Sequence, residues 1–256
     1  MTFEYVSSAD AIARRGLRMM VLGNVPSPWG EAAKGIFHVK RLDFAAVRLA
    51  YDDEALVKWA GQRSAPVVVL DDEPPRSGYM EILMLAERLA PVPALLPLEP
   101  HARGRVVELA REFCDERGLG WTRRLQLVHS GVGKSGGFPE RVAGYLGKKY
   151  GYAAAGAHDY GPRVRELLGR FAAVLHAQRK AGSDYYEGHE LTAADIYSAV
   201  FMALFKPLSD ASCRMDPNIR AAFEYLDTDT AAALDPILLE HRDRIYERHL
   251  ELPLGL

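Results

Sequence analysis

The sequence predicts an α/β domain followed by an all-α domain, and three observations carry this. Up to about residue 90, short apolar runs of strand length alternate with helical patterns. Pro91, Pro93, Pro97 and Pro100 then crowd into ten residues, which a helix does not tolerate and a linker does. Beyond them no convincing strand pattern follows, while helical periodicity recurs to the end of the chain. The expected boundaries are an extension over 1–16, the α/β domain over 17–92, a linker over 93–97 and the helical domain over 98–256.

The elements follow in order. Arg18 to Leu22 and Pro66 to Leu70 are apolar runs of strand length, and Phe44 to Leu49 is a weaker strand pattern. Between them, Pro28 to Lys40 places Trp29, Ala32, Ala33, Ile36 and Phe37 at helix spacing. Asp53 to Ala60 and Ser77 to Leu89 are further helices. Strands separated by helices imply a sheet with parallel pairs, covered on both faces. In the second domain, helices are expected over His101 to Arg117, Arg163 to Lys180, Thr192 to Leu204, Ile219 to Tyr225 and Asp235 to Leu250. Residues 118–161 are glycine-rich and assigned to no element, and residues 1–16 to one or two helical turns.

Composition narrows the function classes. The chain has 256 residues, 48% apolar and 26% charged, which is ordinary for a globular protein and excludes disorder. Lys and Arg number 32 against 34 Asp and Glu, and neither half is strongly basic, which argues against a nucleic-acid partner. The longest uncharged run, Met19 to Gly30, is far short of a membrane span. Glu4 and Asp10 interrupt the start of the chain, so no secretion signal is expected. Cys114 and Cys213 are the only cysteines, which points to a reducing, cytoplasmic compartment; without a CxxC motif, dithiol redox chemistry is excluded.

Three segments carry chemistry. Ser27-Pro28 follows the first strand run as a helix start, with Ser27 as cap and Pro28 at the first helical position. Helix N-termini present oriented N–H groups and positive potential, so a hydroxyl there would also favour the thiolate of a bound thiol. Ala65-Pro66 opens an apolar strand; trans is the default, and a cis bond would turn the Ala65 backbone toward a peptide-like ligand. Leu191-Thr192-Ala193-Ala194-Asp195-Ile196 reads as a capping box between Thr192 and Asp195, flanked by a hydrophobic staple.

In this order, the three segments resemble those of the cytosolic glutathione transferase superfamily. Ser27-Pro28 is similar to the helix start of its tau and omega classes, and the class is left open. The resemblance covers about residues 17–205 and implies a thioredoxin-like N-terminal domain with an all-helical C-terminal domain. It implies that Ser27 hydrogen-bonds the glutathione sulfur and that Ala65, held by Pro66, pairs through its backbone with the cysteinyl unit. Ser77 would hold the γ-glutamyl carboxylate at its helix start. The implied activity is addition of the glutathione sulfur to a small hydrophobic electrophile, in a homodimer, without a metal or membrane. The rival expectation is a non-catalytic binding protein that keeps the fold.

Two departures from the family pattern stand out. Arg76 occupies a position that usually holds Glu or Gln; it could grip a carboxylate as a fork. Asp71-Asp72-Glu73-Pro74-Pro75 leaves little room for a full fourth strand, and its three acids would repel an anionic tripeptide.

Other signals read as structural. Gly131 to Gly136 fits GxGxxG, but Gly137, Phe138 and Pro139 follow where a dinucleotide loop needs a helix; a flexible loop is expected. Arg123, Arg124, Lys134, Arg141, Lys148 and Lys149, with Phe138 and Tyr145 among them, read as a solvated face that could draw anions to a cleft. Cys114 and Tyr185, Tyr186 and Tyr197 are expected in the core or an interface, and His241 and His249 match no common metal spacing.

Overall fold

The computed structural model describes residues 3–256. Four strands form one sheet: β1 (Phe3–Tyr5), β2 (Leu17–Val21), β3 (Phe44–Arg48) and β4 (Val67–Leu70), in the order β1-β3-β2-β4. β3 runs parallel to both β1 and β2, while β4 is antiparallel to β2, with Met19 opposite Ala46 on one side and Val68 on the other. The strand runs are mostly apolar because both faces are covered, with Glu4, Arg18 and Arg48 as the charged exceptions. Met19, Val21, Ala46 and Val68 meet Ile36 and Phe37 of α2 (Pro28–Val39) and Ile82 of α4 (Tyr79–Leu89). Met20, Val47, Val67 and Val69 meet Ala11 of α1 (Ser8–Ala13) and Leu56 of α3 (Glu54–Ala60) on the opposite face.

One edge of the sheet departs from the sequence reading. The first 16 residues supply a strand as well as a helix: β1 extends the sheet beyond β3. At the other edge, as expected from Asp71 to Pro75, no full strand follows β4 and a single bridge forms instead. Val68 and Arg76 exchange backbone hydrogen bonds of 2.8 and 2.9 Å, and Pro74-Pro75, lacking N–H donors, precede it. Helix α4 begins at Tyr79 rather than Ser77, because Gly78 is the cap and its N–H donates to the Glu81 carboxylate at 3.0 Å.

Helices make up the rest: α5 (Pro100–Cys114), α6 (Leu119–Val132), α7 (Glu140–Tyr150), α8 (Ala157–Lys180), α9 (Ala193–Phe201), α10 (Pro217–Glu224), α11 (Thr228–Ala233) and α12 (Pro236–His249). The unassigned glycine-rich segment therefore holds two helices, a single helical turn over Ala154–Gly156 and the start of α8. Its glycines mark close packing. A Cβ on Gly120 would stand 2.2 Å from the Phe201 ring, and one on Gly131 would stand 2.2 Å from the Phe138 carbonyl oxygen. Helix α9 lies at the centre, buried over its whole length. The expected capping box forms there, with the Asp195 carboxylate accepting from the Thr192 N–H and hydroxyl, each at 2.8 Å. Its other oxygen accepts from the Tyr186 N–H at 2.8 Å and lies 3.0 Å from His241 Nε2, so this fully buried carboxylate joins three segments.

Candidate active site

The chain leaves β2 through Leu22 to Pro26 and enters α2 at Ser27. The Ser27 carbonyl accepts the first helical hydrogen bond from the Glu31 N–H at 2.8 Å, and Pro28 occupies the first helical position. One expectation fails here: the Ser27 hydroxyl makes no cap hydrogen bond. The residue is only 6% exposed and lines a cavity with Tyr51, Ala65 and Arg124. Its hydroxyl is therefore committed to no backbone group of α2.

The Ala65-Pro66 peptide is cis. Ala65 lines both the Ser27 chamber, of about 220 Å³, and a neighbouring groove of about 550 Å³. The groove reaches Pro66, Ser77 and Trp29 on one side and Trp121 on the other. Chamber and groove also share Tyr145, Lys149 and Tyr150, so they form one cleft between the sheet and helices α6 and α7. The structure brings Ser27, Ala65, Pro66 and Ser77 to this cleft.

Arg76 lies apart from it. Its guanidinium is 2.5 Å from the Glu73 carboxylate, which also takes Arg88 at 2.7 Å. Arg88 and then Arg76 hold the Glu73 carboxyl below the usual carboxylate range. Arg15 lies 3.5 Å from Asp71 and 2.7 Å from Asp72. The three acids expected to repel an anion are thus each answered by an arginine.

The basic run is not a solvated face at its start. Arg123 is fully buried and donates to the Leu204 carbonyl at 3.2 Å, to Gln126 Oε1 at 2.7 Å and to the Tyr225 carbonyl. It ties α6 to the segments after α9 and α10. Arg124, 7% exposed, faces the other way and lines the Ser27 chamber. Its guanidinium carbon lies 4.6 Å from the Trp29 ring centre and 5.0 Å from that of Tyr150, whose hydroxyl takes one of its N–H groups. Burial lowers the Arg124 pKa to about 10, which leaves it charged at neutral pH. Burial, and then a hydrogen bond to Tyr145, pushes the Tyr51 hydroxyl up to about 12. Sequence reasoning put Arg124 on a solvated face and did not single it out as a lining residue, nor Tyr51, Trp121 or Tyr150. The signal for Arg124 was its setting, in which apolar Leu125, Leu127 and Val128 follow within one helical turn.

The remaining candidates are structural. Cys114 and Cys213 are free and buried, and burial raises both thiols, Cys213 to about 11, so neither is a ready nucleophile. Tyr186 and Tyr197 are core residues, while Tyr185 lies 2.9 Å from His249 Nε2. Among the described residues no group of three or more His, Cys, Asp or Glu is placed to hold a metal, and no helix is long and apolar enough to cross a membrane.

A mixed sheet with a cis-proline strand, followed by helices organised on a capped central helix, is the fold of the glutathione transferases. A glutathione S-transferase from Methylobacterium radiotolerans, in complex with glutathione sulfonate, superposes with a TM-score of 0.60 at 19% identity, over 91% of each chain. One from Methylobacillus flagellatus with glutathione bound gives 0.63 at 15% identity, over 91% of this chain and 96% of that one. A family member from Pseudomonas fluorescens with two glutathiones bound gives 0.62 at 14%, over 91% and 89%. No protein-family model and no curated protein matches the sequence.

Proposed function

We propose that this protein is a glutathione-dependent transferase that ionises the thiol of glutathione and joins its sulfur to an electrophilic carbon. The observation that carries the reading is the Ser27 hydroxyl, buried at the N-terminus of α2, free of the cap bond and lining the chamber beside Ala65. The groove supports it. Ala65 offers backbone groups to the cysteinyl unit, and Ser77, one residue before the cap of α4, stands where a γ-glutamyl carboxylate would meet helix N–H groups. Arg76 contributes its backbone, which sets the position of Ser77 through the bridge to Val68. The proteins of this fold from Methylobacillus flagellatus and Pseudomonas fluorescens carry bound glutathione, which supports glutathione as the ligand class.

In the proposed reaction the thiol proton leaves to solvent and Ser27 donates a hydrogen bond to the thiolate, aided by the positive end of α2. The sulfur lone pair forms a bond to the electrophilic carbon. In a substitution, the bond to the leaving group breaks and that group departs with its electron pair. In an addition to an activated alkene, a proton from water completes the adjacent carbon. The protein contributes position and thiolate stabilisation. A homodimer accompanies the reading: Met84 and Leu89 of α4, with Val92 and Leu98 beyond it, are exposed apolar residues close together in sequence.

The test is glutathione conjugation to 1-chloro-2,4-dinitrobenzene by wild-type protein and Ser27→Ala. Loss of turnover with folding intact supports the role of Ser27; equal turnover removes it. The second reading, a non-catalytic binding protein, is favoured by one observation, the reduction of the strand after β4 to the bridge at Arg76.

A further inference from the structure

The chamber beside Ser27 is lined largely by apolar side chains, among them Val25, Val142, Ile219 and Phe223. Two cations break that pattern, Arg124 within it and Lys149 exposed at its rim, and the lining contains no carboxylate. Arg124 has no carboxylate partner among the described residues; its charge meets two aromatic faces and one phenolic hydroxyl. Burying a guanidinium without a counter-ion is costly, and aromatic faces offset only part of that cost. Lys149 is likewise unpaired among the described residues, and its ammonium lies 6.0 Å from the Tyr150 ring centre. A chamber for purely apolar molecules has no use for this arrangement. One for an apolar body with an anionic head does, because a guanidinium fork matches a carboxylate in geometry and charge.

We propose that the second substrate is an amphipathic carboxylate, such as an arylcarboxylate with an electrophilic carbon, whose carboxylate docks on Arg124 with Lys149 as an outer contact. This rests on the transferase reading and specifies its substrate class. The apolar body lies on Val25, Val142 and Ile219, and the head on Arg124 fixes which carbon is presented to the sulfur. Arg124 is then a binding and orienting residue of the second-substrate chamber.

The test is equilibrium binding of 2-naphthoate and of its uncharged methyl ester to the full-length protein, first without glutathione and then with it saturating. The first arm reads the anion site alone. Failure of glutathione itself to bind would overturn the transferase reading and is seen separately. The expected result is naphthoate bound about tenfold tighter than the ester, with Arg124→Met abolishing the preference. Should Arg124→Met fail to fold, Lys149→Met at the exposed rim serves in its place, lowering the preference about two- to fivefold. Equal affinities for acid and ester, no binding of either, a preference that survives in Arg124→Met, or one left unchanged in Lys149→Met would overturn the proposal. So would weakened glutathione binding or a raised pKa of its bound thiol in Arg124→Met, because the guanidinium would then serve the tripeptide.

Discussion

The guanidinium carbon of Arg124 lies 4.6 Å from the ring centre of Trp29, which stands two residues after Ser27. The same indole donates its N–H to the Cys114 carbonyl at 3.1 Å and meets the Phe201 ring edge-on at 5.0 Å. One side chain therefore fixes the N-terminus of α2 against α5, α6 and α9. The position of Ser27 relative to the helical half of the cleft depends on it.

This relationship predicts a measurable coupling. Trp29→Leu removes the cation–π contact, the indole hydrogen bond and part of the packing, and should lower unfolding free energy by about 1–3 kcal/mol. In a double-mutant cycle with Arg124→Met, denaturant unfolding should give a coupling of about 0.5–2 kcal/mol. Strictly additive losses would mean that the stacked geometry contributes nothing.

Ser27→Ala separates capping from chemistry. Replacing a bonded serine cap costs about 1 kcal/mol, but Ser27 makes no such bond, so the loss should stay under about 0.5 kcal/mol. Turnover with glutathione should fall about 100- to 1,000-fold, as when one donor to a developing anion is removed. A large stability loss with unchanged turnover would assign Ser27 to the helix alone.

Arg76→Gln should leave glutathione affinity within about threefold, because the guanidinium is held by Glu73 and not turned to the groove. A loss beyond about tenfold in a binding titration would place that side chain on the ligand.

Asp235 gives the pH dependence a sign. It caps α12 by accepting from the Ile237 N–H at 2.9 Å and lies 2.9 Å from His176 Nε2. These bonds, His176 first, hold its folded pKa below the ordinary value of 3.8. The unfolded state therefore binds the proton more readily. The contribution is present above about pH 4 and is lost as pH falls through the folded value. Asp235→Ala should cost about 1 kcal/mol at pH 6 and progressively less toward pH 3. A difference that stays constant down to pH 2.5 in urea titrations would contradict this.

What was legible in the sequence follows from what is local. β2 and β4 stand out as apolar runs because helices cover both sheet faces, and Ser27-Pro28 and Thr192 to Asp195 announce helix starts within four residues. β1 does not, since Phe3 to Tyr5 become a strand only by pairing with residues 44–46. Helix α6 was hidden because Gly120 and Gly131, which permit close contact at Phe201 and Phe138, resemble loop signals. Two buried arginines also interrupt the apolar period of α6. On the sheet side of the cleft, the lining residues Ser27, Ala65, Pro66 and Ser77 were named from the sequence. The electrostatics of the other side was not, because sequence alone does not distinguish a cation facing water from one facing a cavity.

The most direct test of the central claim is calorimetric titration of the purified protein with glutathione at neutral pH, repeated with Ser27→Ala and Ser77→Ala. The account predicts binding between micromolar and low millimolar, about −8 to −4 kcal/mol, weakened at least about threefold by Ser77→Ala. No heat and no thermal stabilisation by glutathione would contradict it and leave the fold serving another ligand.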